Sequence, residues 1–307
     1  MRHWIALVLF VLPASAFAQA AMPADYQAVL TTLGKQGDFK ENVLRVNIPR
    51  NDLHVVIDGV ATPTPFGFGG WLALTKGTGM DVMMGDLVLT EDEVNPVMSA
   101  LLTNGLDVTA LHNHFFFDTP RIYYMHVHGH GTAADLATKV KPALALIGTG
   151  SAADRRGGPS GPPASGRAIT GTLDSAALAK IVGYAGEQNA AVYKITIGRP
   201  DIPLKEMGAP INSRMGLNTW AAFYGSDSDA VIAGDVAMLD SEVTPVLKAF
   251  RMNGIDVVAI HHHMTGTNPP VIFLHYWGKG PAQKLATAFR AALDQTGARP
   301  KTTAAQR

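Results

Sequence analysis

Shifted against itself by 149 residues, this sequence aligns without a gap, Asp25–Leu144 over Asp174–Leu293, at roughly 30% identity. A chain that contains itself twice folds as two like units, so an expectation for one half is also an expectation for the other. Matched positions include Trp71 with Trp220, Gly85-Asp86 with Gly234-Asp235, Glu93 with Glu242, Pro96 with Pro245, and Asn104-Gly105 with Asn253-Gly254. Three histidines match as well: His112 with His261, His114 with His263 and His126 with His275. Residues 148–171, rich in Gly, Ser, Pro and Ala, cannot build a packed element and read as a flexible linker. The expected plan is repeat domains at 21–147 and 172–295, with a polar, disordered tail at 296–307.

Residues 1–20 read as a secretory signal peptide. Met1-Arg2-His3 is a basic start, Ile5–Leu12 is an apolar run, and small residues from Ala14 onward offer cleavage sites. No later stretch reaches the roughly 18 apolar residues of a membrane-spanning helix. The expectation is a periplasmic or secreted protein with no transmembrane segment after cleavage. With 25 basic and 25 acidic side chains in 307 residues there is no broad basic footprint, so no nucleic-acid partner is expected. The chain has no cysteine, which excludes disulfides, thiolate metal sites and thiol nucleophiles. A metal here has only His, Asp and Glu to hold it.

Within one copy, Asp25–Leu33 reads as a helix, and Val43–Ile48, Trp71–Thr75 and Val82–Leu89 as strands. Val94, Val97, Met98, Leu101 and Leu102 recur at helical spacing, with Pro96 in the first turn and Asn104-Gly105 as a C-cap, which predicts a helix over about 92–104. Asp107–His114 and Ile122–His128 follow as strands around Asp118-Thr119-Pro120, and Ala133–Ala145 closes the unit as a helix. This order predicts an α+β fold: two tandem two-layer sandwiches, ferredoxin-like in character and related by pseudo-twofold symmetry. Helices cover only one face of each sheet. The other face, with Val108, Ala110, Ile122 and Tyr124 beside the histidines, needs the second copy as its cover, which predicts a shared cleft.

Nine of the 11 histidines fall within 112–130 and 261–275. Alternation along a strand projects His112 and His114 from one side, and a hairpin closing around residue 119 sets His126 opposite His112. His261, His263 and His275 repeat the pattern, while His262 points the other way. Three neutral imidazoles suit a divalent ion with an open fourth position, zinc as first choice and copper as second. A hydrogen-bonded cluster serving structure or an organic ligand is the alternative. His128 and His130, matched by Trp277 and Lys279, are expected to be peripheral. Asp86 and Asp235 are candidate supports behind the ligands. Glu93 and Glu242 sit at helix starts, where Thr90-Glu91-Asp92-Glu93 also fits a capping box. Met80, Met83, Met84 and Met264 near the histidines suit core filling better than copper.

The succession Gly-Asp, Glu-x-x-Pro-Val, Asn-Gly, His-x-His, then Pro and His, at 85–126 and again at 234–275, resembles the LppY/LpqO-type family of exported proteins. The resemblance spans essentially the whole chain after residue 20 and implies export, with no established reaction. The namesake members are described as lipoproteins, and this chain lacks the lipid-accepting cysteine. Two functions of different class follow from the residues: sequestering or sensing a divalent metal, or metal-dependent hydrolysis with Glu93 or Glu242 as general base. A small organic-ligand binder is the third.

Overall fold

The computed structural model describes residues 21–149 and 166–298. The expected signal peptide, most of the linker and most of the tail lie outside the described residues. In the first copy the elements are α1 (Ala24–Leu33), β1 (Gly37–Lys40), β2 (Val43–Pro49), β3 (Val55–Ile57), β4 (Val60–Thr62), β5 (Gly69–Lys76), β6 (Asp81–Thr90), α2 (Glu91–Thr103), β7 (Asp107–His112), β8 (Asp118–Thr119), β9 (Ile122–Gly131) and α3 (Ala133–Leu144). The second copy follows with α4 (Ser175–Val182), β10 (Glu187–Asn189), β11 (Val192–Gly198), β12 (Lys205–Glu206), β13 (Ala209–Pro210), β14 (Asn218–Gly225), β15 (Ala230–Leu239), α5 (Asp240–Met252), β16 (Asp256–His261), β17 (Val271–Gly280) and α6 (Ala282–Leu293). The fold is mixed α and β, with two similar tandem domains.

Each copy builds one six-stranded sheet, β1-β2-β5-β6-β9-β7 and β10-β11-β14-β15-β17-β16. Both β6 and β7 pair antiparallel with β9, so α2 carries the chain between two parallel strands that flank a third. The period of two then sorts every strand. On β6, Met83, Leu87 and Leu89 pack with Val97 and Leu101 of α2 and Leu136 and Val140 of α3. The opposite face carries Val82, Met84, Asp86 and Val88. The second copy repeats this, with Ile232, Val236 and Met238 under its helices.

The two helix-free faces are buried on each other. One apolar cluster joins Phe66, Val88, Ile122 and Tyr124 to Val192, Ala222, Val231 and Trp277. A second joins Val43, Ala73 and Met84 to Ile202, Leu204, Ile211 and Phe273. The loops carrying β3-β4 and β12-β13 act as arms. Through Asp58, the first copy's arm meets Lys279 of the second, 2.9 Å away. The second copy's arm is tied in return, its Met207 carbonyl accepting from the Thr78 amide at 2.7 Å.

A register correction applies to the histidine strands. His112 lies opposite Tyr124, and His126 opposite Ala110, because the hairpin closes one residue earlier than expected. The shift is two residues along the partner strand, so the histidines keep a common face and meet diagonally. A bulge between Val108 and Ala110 turns Val108 to the helical side, where it joins the first core instead of flanking the histidines.

Each copy is pinned by a buried ion pair. Arg50, 3% exposed, donates to both oxygens of Glu93, 4% exposed, at 2.6 and 3.1 Å. Glu93 also accepts from the Thr90 amide at the start of α2 and from the Gly148 amide beyond α3. Arg199 and Glu242 repeat the arrangement with the amides of Leu239 and Gly297. Arg50→Ala leaves a carboxylate buried without its counter-charge, and denaturant unfolding is expected to show a loss of about 3–5 kcal/mol. Hydrogen bonds from Arg50 and Arg199 hold Asp52 and Asp201 below the usual carboxylate range. Because the folded pKa is depressed, this stabilisation is present at neutral pH and fades as pH drops below about 4. The fade is expected to be shallower in Arg50→Ala.

Candidate metal centre

The matched Gly-Asp pairs place the first acids. A Cβ on Gly85 would sit 2.5 Å from Leu72 Cδ2 and 2.8 Å from the Trp71 carbonyl oxygen. One on Gly234 would strike the Trp220 carbonyl and the Tyr276 hydroxyl. Glycine therefore lets β6 and β15 lie close to their neighbours on the helical side, and the next residue, Asp86 or Asp235, faces the interface. Asp86 stands opposite His126 and Asp235 opposite His275 in the ladders. Both carboxyls are raised above the usual range, chiefly by burial, and Asp86 reaches about 8 with Asp235 adding to the effect.

The six histidines meet across the interface. His112 Nε2 lies 3.1 Å from His275 Nε2. The ring centroids of His112 and His261 are 3.7 Å apart, those of His114 and His275 3.5 Å, and those of His126 and His263 4.0 Å. The second copy's expected triad is kept, and the first copy's is divided between sets that draw on both copies. Ring nitrogens lie within 4.8 Å of one another in three sets: His112, His114 and His275; His112, His126 and His261; and His261, His263 and His275. Two of these draw on both copies, since packing the helix-free faces together brings each strand's histidines nearer to the partner sheet. His262 points away, its ring nitrogen 3.3 Å from the Val271 carbonyl.

Orientation suits ligation. His275 Nδ1 bonds the Gly234 carbonyl at 3.1 Å, and His126 likewise bonds the Gly85 backbone, which leaves His126 Nε2 unpartnered and turns His275 Nε2 towards His112. All six rings are held below the ordinary histidine pKa, chiefly by burial, His261 at about 4 and His275 at about 3. They are neutral at pH 7. His263 Nε2 stands 3.3 Å from Asp235 Oδ2 without hydrogen-bond geometry.

Glu93 and Glu242 are placed elsewhere. Both oxygens of each accept from an arginine and from backbone amides, so these carboxylates close helices and anchor chain ends. That arrangement is the one the helix-start reading expects, and it engages the same oxygens that the hydrolase alternative assigns as general base. His128 and His130 meet Glu206, which sequence reasoning did not single out. Arg50, Arg199, Arg45 and Lys194 were also passed over. The offset of 149 pairs Arg50 with Arg199 and Arg45 with Lys194, so the self-alignment carried a signal for all four.

Beside the imidazoles a cavity of about 460 Å³ lies between the copies, reached by His114, His263 and His275. Arg45 lies 3.8 Å over the Trp71 ring and Lys194 4.1 Å over the Trp220 ring.

A two-domain shell enclosing a histidine- and aspartate-lined centre defines the class of protein. The chain belongs to the family described as Domain of Unknown Function (DUF1259), matched over residues 27–146 and again over 176–295. No curated protein matches the chain. Among solved structures it is similar to EtuB from Clostridium kluyveri at 9% identity, covering 87% of this chain and 97% of that one, with a TM-score of 0.21. It is also similar to the trimeric bacterial microcompartment shell protein PduB at 13% identity, covering 87% and 96%, again with a TM-score of 0.21. At that score neither likeness carries an argument.

Gly234→Ala tests how the site is positioned. Forcing a methyl against the Trp220 carbonyl is expected to lower stability by about 1–3 kcal/mol in urea unfolding, the range for overpacking. An unchanged midpoint would mean that the glycine is not required for the close approach.

Proposed function

We propose that the protein binds a divalent transition metal between its two copies, zinc first and copper second, in a sequestering or sensing role. One observation carries this reading. Nine buried side-chain atoms at the centre have no hydrogen-bond partner: seven ring nitrogens of His112, His114, His126, His261 and His263, and one oxygen each of Asp86 and Asp235. Buried polar atoms are ordinarily satisfied; each of these five neutral rings has one lone-pair nitrogen, and a cation satisfies such lone pairs together with carboxylate oxygens. The neutral rings need shed no proton to bind it. No helix among the described residues is long and apolar enough to cross a membrane. Export rests on the first twenty residues and on the LppY/LpqO-type resemblance. The pseudo-twofold, ferredoxin-like description belongs to the same reading, supported by the split β6-α2-β7 unit and its repeat.

Metal analysis of untagged protein tests it. His112→Ala with His114→Ala is expected to remove about one equivalent, and His275→Ala on the other copy to weaken the same site; unchanged stoichiometry in both overturns the reading. Because the folded rings titrate far below 6.5, they add no pH dependence between pH 7.5 and 5.5, and affinity is expected to stay level there in Asp86→Asn, which removes the raised carboxyl that would compete for a proton. A tenfold fall over that interval would indicate rings titrating at their ordinary value. The unfolded chain takes up protons that the folded rings refuse, so metal-free protein is expected to lose stability as pH falls below about 6.5.

The cavity favours a second reading, a small anionic organic ligand held beside the histidines. Among the described residues neither Arg45 nor Lys194 has a carboxylate within ion-pair distance, and burial with the nearby Arg45 charge brings Lys194 down to about 8. Malonate is expected to change tryptophan emission saturably, with at least tenfold weaker binding in Arg45→Gln/Lys194→Gln. The absence of a saturable change in wild type rejects this reading and leaves the metal reading intact.

A further inference from the structure

We propose that His128, His130 and Glu206 form a second metal site, separate in its ligands from the six-imidazole centre. Alternation along β9 places His128 and His130 on one face, and the second copy's arm delivers Glu206 on β12. His128 Nε2 and His130 Nε2 lie 2.6 and 2.8 Å from Glu206 Oε1, and the three ligand atoms fall within 4.8 Å of one another. His128 is 7% exposed, and its Nε2 lacks hydrogen-bond geometry to any partner; Glu206 Oε2 is buried and equally unpartnered. The pocket thus contains a ring nitrogen and a carboxylate oxygen that the contacts between imidazole and carboxylate leave without a hydrogen-bond partner.

The duplication supplies an internal control. In the other copy the positions of His128, His130 and Glu206 hold Trp277, Lys279 and Ile57. There the arm is tied by a plain ion pair, Lys279 to Asp58 at 2.9 Å, with both side chains well exposed. One ammonium and one carboxylate are enough to fasten an arm. The first copy's strand instead carries two imidazoles converging on one half-buried carboxylate, and all three ligand-type residues stand where the other copy has none. Two histidines and a carboxylate suit a borderline divalent ion such as Zn(II) or Fe(II), with the remaining positions open to water. Ligands at about 2.0 Å from a tetrahedral ion stand about 3.3 Å apart, so the carboxylate has to step back by well under 1 Å.

The test is zinc per chain in full-length protein, stripped and reloaded with Zn(II) alone. Glu206→Gln keeps the shape and one hydrogen bond, and it is expected to bind one equivalent less than wild type. His112→Ala/His114→Ala is expected to retain that equivalent, and the combined variant to lose both. A wild-type zinc count in Glu206→Gln overturns the proposal and leaves the trio as an arm tie. If Glu206→Gln does not fold, His130→Gln, at a more exposed position, is read by the same criterion. Zinc retained by His112→Ala/His114→Ala but lost by Glu206→Gln would separate this site from failure of the central one.

Discussion

Two sheets, each covered by helices on one face, have to bury the other, and in this chain they bury it on each other. Everything at the site depends on that constraint. The alternation of β2, β5, β6 and β9 sends Leu44, Leu72, Leu87 and Met125 to the helices and leaves Arg45, Trp71, Asp86 and His126 facing the partner sheet. The polar residues therefore sit in the middle of an interface that is apolar around them, with Phe66 and Trp277 on one flank and Met84 and Phe273 on the other. Burial at that position keeps the imidazoles neutral and raises the aspartates.

This architecture also separates holding the fold from lining the site. The acid that most resembled a catalytic base, Glu93, is the hub of a structural knot formed by the Arg50 guanidinium and two backbone amides. Its four bonds reach the end of β2, the start of α2 and the segment after α3. The repeat at Glu242 shows the same four bonds, so the knot belongs to the unit that was duplicated. The aspartates differ: Asp86 and Asp235 each keep an oxygen without a partner. Among these four acids, it is the bonding of the oxygens, and not their proximity to histidine in sequence, that separates anchor from candidate ligand.

Much of this was legible in the sequence because duplication turns one chain into two observations. The helices over 92–104 and 133–145 and the strands at 43–48 and 82–89 follow from periodicity, and the structure differs from those expectations at their ends only. The histidine faces were legible as well, since parity survives a two-residue slip. The pairing of His126 with Ala110 was not, because hairpin closure and the bulge after Val108 depend on packing that no local pattern records. The set of His261, His263 and His275 was legible, but the two sets that cross between the copies were not: a period of two assigns a face and says nothing of which partner strand that face will meet.

Glu206 marks the sharper limit. Self-alignment finds what both copies share, and the trio of His128, His130 and Glu206 consists of residues the copies do not share. Within one strand, His128 and His130 looked peripheral because their counterparts are Trp277 and Lys279. Their partner arrives from 76 residues further along the chain, on an arm that crosses from the other copy. Once duplicated halves pack face to face, each is free to diverge where its arm lands, since the fold is already secured by the Arg50 and Arg199 knots and by the two apolar clusters. Differences between the copies then point to places where the halves have diverged in detail, and in this molecule three such differences meet where His128 and His130 approach the Glu206 carboxylate.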